Sequence, residues 1–228
     1  MSHFIYNHGW VLALMRKYAN RELVRPAATR FATAYLTLES MNINRESLER
    51  MFTSTEWGRC SWAKSQDGKK VKDILLKDRS FWGSLIYALK TTKPLVGVLR
   101  MADSEKMPGM GFLYGAMDKA KEEIAENLGG VVGAYKEIWS IIDDKWEFQM
   151  HRHLHAAAYF LNPHYQYDQD FSNHREIKLG LLTCLAKLFP DPRDQEKIDL
   201  QMDSFRLRKG LFGFASAKST CKKRSPGM

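Results

Sequence analysis

The chain lacks the residues and runs that would mark most membrane or catalytic architectures. Its 228 residues include only three cysteines, Cys60, Cys184 and Cys221, none in a CxxC or CxxH pairing. Three isolated thiols fit a reducing compartment and exclude a zinc finger built from cysteine pairs within these residues. The longest uncharged apolar run, Gly9 to Met15, is far shorter than the roughly 20 residues of a bilayer span. No basic segment precedes an apolar one in residues 1–7, so neither a secretory signal nor a membrane partner is expected. GxSxG and GxxxxGK(S/T) motifs are missing, as is a GxGxxG after a strand. No cysteine stands beside a candidate histidine base. The sequence therefore specifies no catalytic residue, no cofactor and no small-molecule substrate. Strand signals are scarce too, because no period-2 alternation exceeds four residues.

What is present is ordinary globular chemistry, 44% hydrophobic and 27% charged, with six Trp and twelve Phe. The formal net charge of +9 is unevenly spread. Residues 1–100 hold 17 Lys/Arg against 8 Asp/Glu, residues 101–200 hold 11 against 17, and residues 201–228 hold 7 against 1. A basic half, an acidic middle and a basic tail suit a polyanion partner, a charge match within the chain, or simply a solvated lysine-rich surface.

Helical spacing dominates. Phe4, Ile5, His8, Val11, Leu12, Met15 and Tyr18 predict one amphipathic helix with Ser2 as its cap, broken by Arg25-Pro26. A second helix is expected from Ala28 or Thr29 to the interruption at Asn42-Ile43-Asn44, with a further helical segment from Arg45 to Met51. Residues 54–70, with Gly58 and Gly68 and no sustained period, read as a loop pinned by Trp57 and Trp62. Beyond them, Val71 to Leu76 pairs with Phe81 to Leu89, and Pro94 is expected to kink or restart a helix reaching Met101. A turn at residues 107–111 leads into a helix stopped by Gly129-Gly130. Further helices cover residues 131–146, 153–161, 173–188 and 194–205. The fold class expected is all-α, an irregular helical bundle with a disordered basic C-terminal tail that is Ser/Lys/Arg-rich from Ser216 on.

Three constellations bear on chemistry. His151, His153 and His155 include an i, i+4 pair of the kind that binds zinc, but Leu154 stands where a catalytic glutamate would be. Capping or packing on Trp146 explains the cluster as well. Asp143, Asp144 and Glu147 offer carboxylates, but adjacent helical residues diverge by about 100°. A solvated surface therefore explains them better than a metal pair, and no metal site is expected. Arg25, Thr29, Arg30 and Phe31 place cations and a ring at a helix start, where guanidinium can pair with phosphate and the ring can stack on an unpaired base. The plainer alternative makes Phe31 the first core residue and leaves Arg30 on the surface.

Two strings add a family. RPAATRFATAYLTL, from Arg25 to Leu38, resembles the Thr-Arg-aromatic segment that opens the helical insertion domain of hAT transposases, with Phe31 where many members have Trp. WEFQMHRHLHAAAYFLNP, from Trp146 to Pro163, resembles a plant hAT segment, with His153 where proline is usual. Trp82, Lys93-Pro94-Leu95-Val96, Asp203-Ser204-Phe205 and Gly210-Leu211-Phe212-Gly213 match in order. The resemblance implies that residues 1–25 border an RNase H-like core and residues 26–213 form the helical insertion domain, with a basic tail at 214–228. It also implies that the Asp, Asp and Glu of the cutting site lie outside the chain, so that the protein is nuclear, not itself an enzyme, and bound weakly to DNA through charge. Arg30 and Phe31 would grip the DNA end, assisted by Thr29, Arg25, Lys222, Lys223 and Arg224. The alternative is a module that pairs with a full-length hAT-like protein.

Overall fold

A computed structural model describes residues 1–25, 32–103, 109–149, 153–169, 171 and 174–223, the side chains of 147–149 excepted. Among the described residues the chain is all-helical, without strands. It divides into two compact units, Met1–Val96 and Gly97–Met228. No described helix is long and apolar enough to cross a membrane.

Unit 1 opens with two helices where the spacing predicts one. Helix α1, Ser2–Asn7, and α2, Gly9–Tyr18, meet at His8, which leaves the helical region at φ −121°, ψ 99°. The His8 Nδ1 lies 2.7 Å from the Phe4 carbonyl, one of the acceptors that a helix end leaves open. Ser2 is buried inside α1 and caps nothing. Helix α2 ends at Tyr18, before the expected break at Arg25-Pro26. Buried Leu23 draws the following segment inward, where the Tyr6 hydroxyl donates to its carbonyl. Helix α3, Thr33–Ile43, follows Ala32 at φ 65°, the expected start at Ala28 or Thr29 lies outside the described residues, and Asn44 separates α3 from α4, Arg45–Thr53, as expected.

Residues 54–70, read from sequence as a loop, are helical instead: α5, Thr55–Arg59, α6, Ser61–Lys64, and α7, Gln66–Leu76. The cause is a chain of caps. Ser54 Oγ accepts from the Trp57 amide, Cys60 Sγ from Trp62 and Ser65 Oγ from Gly68, so each residue ending one short helix starts the next. The core beneath is made of Ile5, Val11, Met15, Leu48, Met51, Phe52, Trp57 and Leu75, all with at most 2% exposure. Each such side chain contributes about 1.5–3 kcal/mol through burial. Helix α8, Arg79–Ala102, passes through Pro94 without ending. Proline has no N–H to donate there, while Thr91 and Thr92 turn their hydroxyls onto the Ala88 carbonyl of the preceding turn.

Unit 2 is organised by α9, Met110–Asn127, α11, His153–Phe160, and α13, Arg175–Leu188. Tyr114, Ala156, Ala157, Phe160, Ile177 and Leu181 form its core. Small residues bring the helices together. A Cβ on Gly111 would meet the Ala158 carbonyl oxygen at 2.6 Å, and one on Gly180 the Ala156 Cβ at 2.7 Å. Helix α9 stops as the sequence predicts, with Gly129 and Gly130 at φ +75° and +71° and the Gly130 amide closing on the Ala125 carbonyl. Helix α10, Val132–Gln149, and the short α12, Pro163–Gln166, stand on either side of α11 in sequence. Helix α14, Pro192–Arg206, ends with Arg208 at φ 49° and the Lys209 amide on the Ser204 carbonyl.

A 3-10 turn at Gly210–Gly213 is followed by α15, Ala215–Thr220, within the stretch from residue 214 on that the sequence predicts to be without structure; residues 224–228 lie outside the described residues. Lys222 Nζ reaches Asp168 at 3.3 Å and ties this end to its own unit.

Candidate nucleic-acid interface

Of the residues singled out for DNA, Thr29, Arg30, Phe31 and Arg224 lie outside the described residues. Arg25 is exposed, its guanidinium 4.4 Å from the Tyr6 ring centroid. Lys222 is engaged by Asp168, while Lys223 is exposed and makes no ion pair among the described residues. Asp143 pairs with Lys121 Nζ at 2.6 Å, Asp144 is exposed, and the Glu147 side chain is outside the described set. His155 meets Trp146 edge-on at 6.5 Å, the packing reading of the histidine cluster, and His151 is not described. Among the described residues no three His, Cys, Asp or Glu side chains group to hold a metal.

The structure assembles a different basic surface. Unit 1 holds 16 Lys/Arg against 8 Asp/Glu, a net of +8. Seven of those cations fall between Arg59 and Arg79: Arg59, Lys64, Lys69, Lys70, Lys72, Lys77 and Arg79. In α7 the residues Gly68, Val71 and Leu75 turn inward at helical spacing, which leaves Lys69, Lys70 and Lys77 on the outer face. Among the described residues, Lys77, just past the end of α7, pairs with Asp73 at 2.8 Å. Arg59, Lys64, Lys69, Lys70 and Arg79 are exposed and make no ion pair among the described residues. One acid of the run is occupied: Asp78 accepts from the Ser80 hydroxyl and the Ser80 and Phe81 amides, which hold its carboxyl below the usual range. Elsewhere in the unit, Arg16 is matched by Glu22 and Lys17 by Glu56.

Two tryptophans in this region have opposite fates. Trp57 is 1% exposed and sits in the core, whereas Trp62, five residues on, is 37% exposed. The His8 imidazole backs the Trp62 indole at a centroid distance of 3.8 Å. The start of α7 packs on the backbone of Trp62, since a Cβ on Gly68 would clash with the Trp62 carbonyl oxygen. The signal for this surface was present in the sequence as lysines and arginines, but a loop reading gave them no common face.

Unit 2, nearly balanced with 19 Lys/Arg against 18 Asp/Glu, gathers carboxylates at one cleft. A cleft of about 320 Å³ is lined by Tyr114, Asp118, Lys121, Asp143, Trp146 and Glu176. The Tyr114 hydroxyl donates to Glu176 Oε1 at 3.1 Å, and burial, followed by the charges of Glu176 and Asp118, pushes the phenol up. Burial also raises the Asp118 carboxyl, against the pull of Lys121. Lys121 lies 4.9 Å from the Trp139 ring centroid, and its carbonyl takes the Trp139 Nε1 proton at 3.0 Å. Three carboxylates around one lysine make this cleft hostile to phosphate.

No family model, no curated protein and no solved structure matches the chain.

Proposed function

We propose that the chain is a DNA-associated protein of the hAT-transposase type that holds nucleic acid through charge, cuts none itself and resides in the nucleus. The observation that carries the reading is the set of five exposed cations, Arg59, Lys64, Lys69, Lys70 and Arg79, without an ion pair among the described residues, in a unit of net charge +8. The strings at Arg25 to Leu38 and Trp146 to Pro163 support the family. Arg30 and Phe31 belong to the proposed DNA-end grip by that resemblance alone.

Each phosphate contact releases counterions, so five contacts imply a slope of log K against log salt of about −4.5 on duplex DNA. Titrating a labelled duplex between about 50 and 200 mM salt tests this. Replacing Lys69 and Lys70 by Gln should flatten the slope by about 2. An isotherm unmoved by salt would overturn the reading.

A second reading, a module that pairs with a hAT-like protein, is favoured by apolar exposure in unit 2. Leu188, Leu200, Leu211 and Phe214 are 62–81% exposed, and contiguous apolar surface on this scale marks interaction sites. Light scattering that shows a mass rising with concentration, and restored to one chain by Leu188→Glu with Leu200→Glu, supports it. A single-chain mass at every concentration removes it.

A further inference from the structure

We propose that Trp62 is a stacking platform for an unpaired base, with Arg59 and Lys64 gripping the phosphates on either side of it. The proposal rests on the polyanion-binding reading above and names what that surface takes: a single-stranded segment of nucleic acid. Of the two neighbouring tryptophans only Trp62 is left partly in solvent, at 37% exposure against 1% for Trp57. The exposed ring is not loose. His8 backs it at 3.8 Å, and the cap pair Cys60 and Ser65 fixes the four-residue helix that carries it. A ring held rigid on one side and open on the other loses little freedom when a base covers it.

The cations stand where a strand threading past the ring would need them. Arg59 precedes Trp62 by three residues and Lys64 follows it by two, so chain connectivity keeps both Cα atoms within about 11 Å of that of Trp62. Both side chains are exposed and without an ion pair among the described residues, and Lys69 and Lys70 extend the charge along α7. Aromatic faces with cations alongside bind single strands with little sequence preference, since every base has a π-face and every nucleotide a phosphate. Trp10, another aromatic of unit 1 with a large exposed area, has no Lys or Arg within five residues.

The test uses the full chain and three labelled probes read by fluorescence anisotropy at low salt. They are an oligothymidylate and an oligouridylate of about 16 nucleotides, within the range of known single-strand sites, and a duplex of the same length. Trp62→Leu keeps apolar cover over His8 but removes the aromatic face, while Trp62→Phe keeps a face. The proposal expects Trp62→Leu to weaken single-strand binding by about tenfold, Trp62→Phe to retain most of it, and duplex binding to change less than twofold. A preference between the two single strands assigns the natural ligand to DNA or RNA with Trp62 still the reader. Equal losses on single strand and duplex, or an unchanged single-strand affinity in Trp62→Leu, overturn the platform while leaving the basic surface standing. If the unaltered chain binds none of the three probes, both readings fall together.

Discussion

The closest helix approaches in unit 2 allow a sharp test, because two opposing effects of one substitution can be weighed. Gly180 lies within α13, where exchange for alanine would by itself gain about 1 kcal/mol of helix propensity. Its new Cβ, however, would stand 2.7 Å from the Ala156 Cβ and 3.1 Å from the His153 carbonyl oxygen. Ordinary contact begins near 3.4 Å, so α11 and α13 must part by about 0.7 Å, and overpacking of this kind costs about 1–3 kcal/mol. Gly180→Ala should therefore lose about 1 kcal/mol net. Gly111→Ala should lose about 2, because it meets three backbone atoms of residues 158 and 159 at 2.6–2.9 Å and sits in the first turn of α9, where propensity returns little. Gly133, likewise the second residue of its helix, α10, but exposed with nothing within 4 Å, is the matched control, and Gly133→Ala should stay within about 0.5 kcal/mol. At this size 1 kcal/mol moves Tm by about 4 °C, so thermal denaturation followed by circular dichroism resolves the order. Adding Ala156→Gly to Gly180→Ala should recover part of the loss. A Gly180→Ala or Gly111→Ala protein as stable as Gly133→Ala would refute the packing of α9, α11 and α13.

Two further outcomes follow from unit 1. Ser65→Ala removes the acceptor for the Gly68 amide and should cost about 1 kcal/mol in urea denaturation, whereas Ser61→Ala, with no capping bond, should stay within about 0.5; equal costs would return residues 54–70 to a loop. The Glu56 carboxyl is held down to about 2 by the Lys17 ammonium first, then by its own amide and the Tyr18 hydroxyl. A lowered folded-state pKa gives stability that is present above the ordinary carboxylate value and lost as pH falls toward about 2. The urea midpoint should therefore drop across that window, and less steeply in Glu56→Gln; an identical slope in both proteins would remove the Lys17–Glu56 pair from the account.

Periodicity carries helices well when a single stripe persists, and badly when the chain turns every few residues. Asn42-Ile43-Asn44, the Gly129-Gly130 stop and the helices of unit 2 were legible because each ends on a residue whose own chemistry ends it. Residues 54–70 were not, because a five-residue and a four-residue helix never complete the repeat that the eye seeks. Their signal was Ser54, Cys60 and Ser65, spaced six and five residues apart, each a cap whose meaning depends on the amide two or three positions ahead. His8 was hidden for a related reason. It fits the apolar stripe of one long helix, and only its bond back to Phe4 turns it into a stop. Pro94 shows the reverse case, where a local rule for breaking a helix yields to packing on both sides of it.

The site divides along similar lines. Net charge placed a polyanion partner within reach of the sequence, but not the surface that receives it. That surface depends on which cations remain after the carboxylates have chosen theirs. Arg16 and Lys17 are consumed by Glu22 and Glu56, Lys222 by Asp168 and Lys121 by Asp143, each through a partner between 6 and 54 residues away. Such pairings leave no periodic trace. What survives in unit 1 includes Arg59, Lys64, Lys69, Lys70 and Arg79, together with exposed Arg21, Arg50 and Lys93, while the cleft of unit 2 keeps an excess of carboxylates around Lys121. On the proposed reading a phosphate chain would therefore be drawn to α5–α7 and turned away from the Tyr114 cleft, because the first leaves cations unmatched among the described residues and the second leaves carboxylates in excess.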